Sequence, residues 1–107
     1  MAGTNGSTFS TENINTPAIL TPTTGDTVIA ANPARIMWMI QNLGQNPLFV
    51  KLGAGATTTS FHVVLKAGTA NDDGTGGSTA MESGTIYNGD ISVAGTSPRC
   101  VVTEIKP

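Results

Sequence analysis

The sequence predicts an all-β protein: a single antiparallel β-sandwich or jelly-roll-like barrel of about eight short strands, with an extended N-terminal arm. Short β-favouring runs recur between Gly, Pro and Asn residues from Ala18 onward, and no stretch keeps the helical period of about 3.6 residues. The crossover helices that a parallel sheet requires are missing. A chain of 107 residues makes one small domain, which we place at residues 18–107, with the arm at residues 1–17.

The predicted arm has little to bury. Residues 1–17 hold one Phe, one Ile and one Glu among mainly Gly, Thr, Ser and Asn, and they end at Pro17. Fully extended, the arm would reach about 55 Å, which is long enough to lie across a neighbouring subunit. The alternative is a frayed terminus with no role.

The β-favouring runs predict strands in eight places, at residues 18–20, 26–30, 35–42, 48–52, 61–65, 81–87, 90–94 and 99–105. The short link at 43–47 ends in Pro47 and predicts a hairpin between the third and fourth strands. Asn88-Gly89 predicts a second hairpin, because both residue types tolerate positive φ. Between the hairpins, residues 67–79 are polar and rich in glycine, which indicates an exposed and mobile loop.

The third predicted strand is apolar on both faces. Ile36, Trp38 and Ile40 fall on one face, and Met37 and Met39 fall on the other. One face of such a strand meets the core, so the other needs a cover as well. Either a partner subunit covers the methionine face, to which adaptable Met side chains are suited, or another segment of the same chain does so.

Composition and charge exclude several classes of function. Five basic and seven acidic residues give a net charge of −2, so no basic field favours nucleic acid or an anionic membrane as a partner. The sequence shows neither an apolar run of membrane-spanning length nor the features of a signal peptide. Synthesis in a reducing cytoplasm fits the single cysteine, Cys100.

Residues capable of chemistry are few and scattered. Asp72 and Asp73 lie in the glycine-rich loop, which offers no rigid cleft for acid-base work and lacks the ligand pattern of a calcium loop. The only histidine, His62, alternates with apolar residues, and Cys100 has the context of a small buried hydrophobe. We therefore expect no catalytic residue, metal site or cofactor.

Several runs along the domain carry a resemblance to a known class of proteins. They are PARIMWMIQN at 33–42, LFVKLG at 48–53, LKAG at 65–68, IYNGDISV at 86–93 and VVTEI at 101–105. In this order the runs resemble the small β-rich virion proteins of tailed bacteriophages, which include capsid decoration or cement proteins and related head and tail accessory modules.

The resemblance implies a non-enzymatic protein on the capsid surface of a virion, where it binds and stabilises the shell of major capsid protein. It also implies a homo-oligomer, with a trimer as the form that suits three-fold positions. A long uncharged arm can add to an interface through main-chain hydrogen bonds. The candidate interface residues are Thr4, Phe9 and Ile14 in the arm and Met37 and Met39 on the third strand.

Two other classes of function stay open at the level of sequence. A fibre, knob or neck and tail module would bind a host surface or a neighbouring virion protein, with loops 54–60 and 67–79 as contact sites. A small hydrolase would need a rigid pair of carboxylates, which the sequence does not offer.

Overall fold

Two four-stranded sheets form the fold, which is all-β as predicted. The computed structural model describes residues 13–82 and 84–107. Its strands are β1 (Ile19–Leu20), β2 (Thr27–Ile29), β3 (Met37–Asn42), β4 (Leu48–Leu52), β5 (Val63–Leu65), β6 (Ser78–Glu82), β7 (Ile91–Ala94) and β8 (Cys100–Ile105).

The topology is that of a jelly roll. The β3 sheet has the order β1-β8-β3-β6, and the β4 sheet has the order β2-β7-β4-β5. All of these strand pairs are antiparallel. Because β1 pairs with β8, β2 with β7, β3 with β6 and β4 with β5, the described chain corresponds to one long hairpin rolled up into two sheets.

The core lies between the two sheets. Trp38 and Ile40 point inward from β3, and they face Leu48 and Val50 of β4. Strand β7 adds Ile91 and Val93, and the other buried side chains are those of Ile29, Leu65 and Cys100. Removing each large apolar side chain from water contributes about 1.5–3 kcal/mol, so this layer is the main source of stability.

Seven of the predicted strands coincide with observed strands to within two residues at either end, but the sixth is displaced. It was predicted at 81–87 and lies at Ser78–Glu82, so it begins inside the predicted glycine-rich loop. The glycines that precede it serve a close approach of two backbones: a Cβ atom on Gly76 would overlap the carbonyl oxygen of Asn42. A pattern of glycines cannot distinguish this contact from an exposed loop.

The predicted hairpin between the third and fourth strands is wrong. Strand β3 pairs with β6 and β8, whereas β4 pairs with β5 and β7 in the other sheet. The link at 43–47 therefore crosses from one sheet to the other. Asn42 holds the corner, since its Nδ2 donates to Asn46 O at 2.9 Å and its Oδ1 accepts from Gly44 N at 2.9 Å. The crossing places two strongly apolar strands face to face across the core.

The hairpin predicted at Asn88-Gly89 is also wrong. Neither residue has a positive φ, and the strands on either side lie in different sheets. The Nδ2 of Asn88 donates to Asn32 O at 3.1 Å and to Arg35 O at 3.2 Å. The Asn-Gly pair thus binds the β6–β7 connection to the β2–β3 connection.

A buried arginine completes this junction. The side chain of Arg35 is 0% exposed, and its Nε lies 2.8 Å from Oε2 of Glu104 on β8. Its Nη1 donates to Tyr87 O at 2.6 Å and Gly89 O at 3.1 Å, and its Nη2 donates to Ala30 O at 2.6 Å. One guanidinium group therefore joins three parts of the chain that are distant in sequence.

Candidate protein interface

Residues 13–20 run antiparallel to β8 at one edge of the β3 sheet. Ile14 forms an isolated bridge with Ile105, and Asn15 N donates to Glu104 O at 3.2 Å. Farther along, Ile19 and Leu20 pair with Val101 and Cys100. Part of the predicted arm, from Asn13 onward, therefore lies against the edge of the sheet.

This pairing builds an apolar outer face on the β3 sheet. Side chains of directly paired residues point to the same side of a sheet. Ile105 pairs with Met37 and Thr103 pairs with Met39, so the paired rows lie side by side on the outer surface. We call this surface the open face; its central residues are Ile14, Ile19, Met37, Met39, Val101, Thr103 and Ile105, and the polar Gln41 and Glu82 lie in the same rows.

The open face exposes large apolar side chains to solvent. Ile19 is 50% exposed, Ile14 39% and Met39 37%, whereas Met37, Val101 and Ile105 are half-buried. Beside Ile14, a small hollow of about 220 Å³ is lined by residues 14–17. Adjacent apolar residues on a solvent-facing sheet are typical of a surface that contacts another protein.

The chain covers part of the outer face of the β4 sheet. Ser92 and Ala94 point outward from β7 and are nevertheless 0% exposed. The Oγ of Ser92 donates to Gly53 O at 2.6 Å and accepts from Ala56 N at 2.9 Å, so the β4–β5 connection lies over this face. The cover does not extend to β5, where Val64 is 48% exposed and the preceding Phe61 39%.

The structure brings three of the five predicted interface residues together. Ile14, Met37 and Met39 share the open face, although Ile14 is distant from the methionines in sequence. Thr4 and Phe9 lie outside the described residues. Sequence reasoning missed Ile19, Val101 and Ile105, although the alternation in 101–105 carries the signal for two of them.

A polar cleft occupies one end of the sandwich. Its volume is about 320 Å³, and all four connections at that end contribute to it. Its lining includes Pro22, Gln45, Asn46, Asn71, Ser97 and Arg99. Ser97 has a φ of 44°, and Asp72, beside the cleft, has a φ of 63°. Residues other than glycine rarely adopt this backbone conformation.

The paired aspartates of the glycine-rich loop serve its structure. Asp72 accepts a fork from Arg99 at 2.7 and 2.6 Å, which holds the pKa of its carboxyl group below the ordinary value. Bonds from the Thr75 hydroxyl at 2.6 Å and the Thr75 amide at 2.9 Å lower the pKa of Asp73 in the same way. Both carboxylates are held ionised, which is unsuited to a general acid.

The histidine and the cysteine are also held in structural positions. The Nδ1 of His62 accepts a hydrogen bond from Leu52 N at 3.0 Å, just before β5 begins. Cys100 is 0% exposed in the core, and burial raises the pKa of its thiol to about 11. As the sequence indicated, Cys100 is a small buried hydrophobe.

Among residues 13–82 and 84–107, His, Cys, Asp and Glu side chains form no group of three or more that could hold a metal ion. No helix in the described part of the chain is long and apolar enough to cross a membrane. Comparison of the chain with protein-family models, curated proteins and solved structures finds no match in any of the three.

Proposed function

We propose that this chain is a non-enzymatic structural protein of a tailed-bacteriophage virion and that it binds the shell of major capsid protein through the open face. One observation carries the proposal: Ile14, Ile19 and Met39 are exposed together on the outer face of the β3 sheet, beside the half-buried Met37, Val101 and Ile105. A partner seated on this group of apolar side chains would remove them from water, as the buried part of a protein interface does.

The chemistry of the open face agrees with a protein partner. Most of its side chains are aliphatic or thioether groups, with Gln41, Thr103 and Glu82 among them, so burial against another subunit would remove apolar surface from water. Met37 and Met39 at its centre can adapt to the shape of a partner. The resemblance to virion accessory proteins supplies the kind of partner, and it also underlies the expectation of a homo-oligomer such as a trimer.

The experiment compares two variants with the unaltered chain. Met37→Thr with Met39→Thr removes the centre of the open face and keeps residues that favour a strand. The control is Val64→Thr, which removes a side chain that is 48% exposed on β5 of the other sheet. Each protein is added to phage heads that lack it, and the copies bound are counted by quantitative gels and located by image reconstruction.

The proposal predicts many copies of the unaltered chain and of Val64→Thr over the head lattice. The double methionine variant should stay folded and bind about tenfold more weakly, since about 1.4 kcal/mol of lost interface energy is enough for that. Equal binding by both variants, or no binding of the unaltered chain to heads, would refute the proposal.

The loop-end cleft favours a second candidate, a fibre, knob or tail module. Loop 67–79 contributes Asn71 to the cleft, and in a host-binding module this loop would be a contact site. Loop 54–60 contacts the β4 sheet through Ala56, which is 1% exposed, whereas its other residues are exposed. A few copies at a vertex or tail, together with binding of the purified chain to host cells that Asn71→Ala weakens, would support this candidate.

A further inference from the structure

Among the described residues, no strand pairs with the outer side of β6 in the β3 sheet. Strand β6 is the last strand in the order β1-β8-β3-β6, and the side chains of Ser78, Ala80 and Glu82 are exposed. Its register with β3 is regular over five residue pairs. Strand β6 therefore pairs with β3 on one side, and its other side is available for pairing with a further strand.

The direction of the backbone groups on this edge follows from two hydrogen bonds. Asn42 N donates to Gly77 O at 2.9 Å, toward β6, and Leu43 N donates to Arg99 O at 2.8 Å, toward β8. Antiparallel pairing alternates these directions along each strand. The N–H and C=O groups of Ala80, which pairs with Met39, therefore point away from β3, in the plane of the sheet and beyond its edge.

The other three edges of the sandwich carry features that oppose strand addition. Strand β1 has two residues between Pro17 and Pro22, and β2 has three residues with a shift of register. Strand β5 has three residues and ends next to Lys66. Short strands, prolines, bulges and lysines all discourage pairing. Strand β6 has five residues without proline, lysine or bulge, which leaves it as the edge suited to a partner strand.

We propose that two copies of this chain pair through β6, antiparallel, about a two-fold axis at Ala80. In this register Ala80 lies opposite Ala80 of the second copy, and Ser78 lies opposite Glu82. The outward-pointing N–H and C=O groups of Ala80 then meet those of the second Ala80, and those of Ser78 meet those of Glu82, whose carbonyl oxygen also accepts from Thr85 N at 3.3 Å. A two-fold interface must fit its own surface, and a strand with a small neutral residue at its centre meets that condition.

Charge selects this register among the alternatives. With the axis at Ala80, each Glu82 faces a serine hydroxyl. With the axis at Glu82, two carboxylates would lie directly opposite each other, which destabilises strand pairing. The axis at Ala80 also uses all five residues of β6, so it makes the largest number of main-chain hydrogen bonds.

Pairing at Ala80 also extends the open face. Ala80 lies beside Met39 on the outer surface of the sheet. In the pair, the rows from Thr103 through Met39 to Ala80 join across the axis and form one surface on an eight-stranded sheet. The inference concerns a different surface from the capsid contact and does not depend on it.

Engineered cysteines in the full chain test the axis directly. Antiparallel hydrogen-bonded residues have Cα atoms about 5.5 Å apart, within the range that a disulfide spans. We expect Ala80→Cys to form a disulfide-linked dimer under mild oxidation. The matched control is Ser78→Cys, whose two copies would lie about 13 Å apart along the strands. The double variant Ser78→Cys with Glu82→Cys should form linked dimers again. Native Cys100 is fully buried and does not compete.

A second measurement uses charge. Ala80→Lys and Ala80→Glu should each weaken the dimer by about tenfold, as measured by sedimentation equilibrium. An equimolar mixture of the two should restore it, whereas Val64→Lys on the edge of the other sheet should have no effect. A monomeric unaltered chain, a trimer of the kind that the resemblance implies, equal crosslinking of Ala80→Cys and Ser78→Cys, or an unchanged dimer in Ala80→Lys would overturn the inference. Occupation of the β6 edge by another segment of the chain, such as residues 1–12, would produce the first of these results.

Discussion

Replacing Arg35 by methionine should remove a large part of the stability of this protein. Methionine fills much of the space of the aliphatic stem but cannot donate. The carbonyl groups of Ala30, Tyr87 and Gly89 then lose a charged donor inside the protein, and the carboxylate of Glu104 loses its partner. The change therefore disrupts the junction at which the β2–β3 connection, the β6–β7 connection and β8 meet.

The size of the effect follows from burial. Breaking a buried ion pair by removing one partner costs about 3–5 kcal/mol. The side chain of Glu104 is 21% exposed, so water partly solvates the carboxylate that is left behind, whereas the three carbonyl groups keep the cost high. We expect Arg35→Met to lower the free energy of unfolding by about 4 kcal/mol. The free energy of unfolding of a native domain is only about 5–15 kcal/mol in total.

Urea unfolding measures this loss, and Trp38 reports it. The only tryptophan of the chain is 1% exposed in the core, so its fluorescence changes when the core opens. With a slope of about 2 kcal/mol per molar urea, the midpoint should fall by about 2 M.

The control is Arg99→Met, which removes the other ion pair of the described chain. Its partners, Arg99 and Asp72, have side chains that are 28% and 35% exposed, and exposed pairs contribute little to stability. Its midpoint should stay near that of the unaltered chain. If Arg35→Met shifted the midpoint no more than Arg99→Met does, the assignment of Arg35 as the central junction would be refuted.

Two further predictions concern titratable groups. Cys100 should not react with a disulfide reagent at pH 8 until urea unfolds the chain, because the thiol is buried and its pKa is raised to about 11; rapid labelling of the native protein would contradict this. Asp73→Asn should lower the unfolding midpoint at neutral pH, because the folded state holds the pKa of this carboxyl group below its ordinary value of 3.8. This stabilisation is complete above the ordinary pKa of 3.8 and is lost as the pH falls through the lower pKa of the folded state. The unfolding midpoints of Asp73→Asn and the unaltered chain should therefore converge below about pH 4. A difference between the midpoints that stays constant with pH would argue against the prediction.

Local pattern was sufficient to locate most strands and part of the interface. Strand 48–52 and the C-terminal end of the third strand could be found from runs of β-favouring residues between turn residues. The same alternation placed Met37 and Met39 opposite Trp38. It could not place Ile14 beside them, because that contact depends on pairing of the segment 13–16 with β8 at the far end of the chain.

The two hairpin predictions failed for a related reason. Turn residues at 43–47 and at Asn88-Gly89 indicate that the chain changes direction, but they do not show whether the next strand joins the same sheet. That choice depends on contacts between distant residues, such as those of Arg35 with Tyr87 and Glu104. No local signal marked Arg35 as buried, since an arginine at the start of a strand is usually solvated.

The sequence by itself therefore determined an all-β protein with weak charge and with strands at known places, because side-chain alternation and turn chemistry are local properties. Only the tertiary structure decided which strands pair, which apolar side chains come together on an outer face and which of the described strands lie at the edges of the sheets. These depend on hydrogen bonds and packing between residues far apart in the chain. In a rolled-up hairpin such contacts join the beginning of the chain to its end, beyond the range of any local pattern.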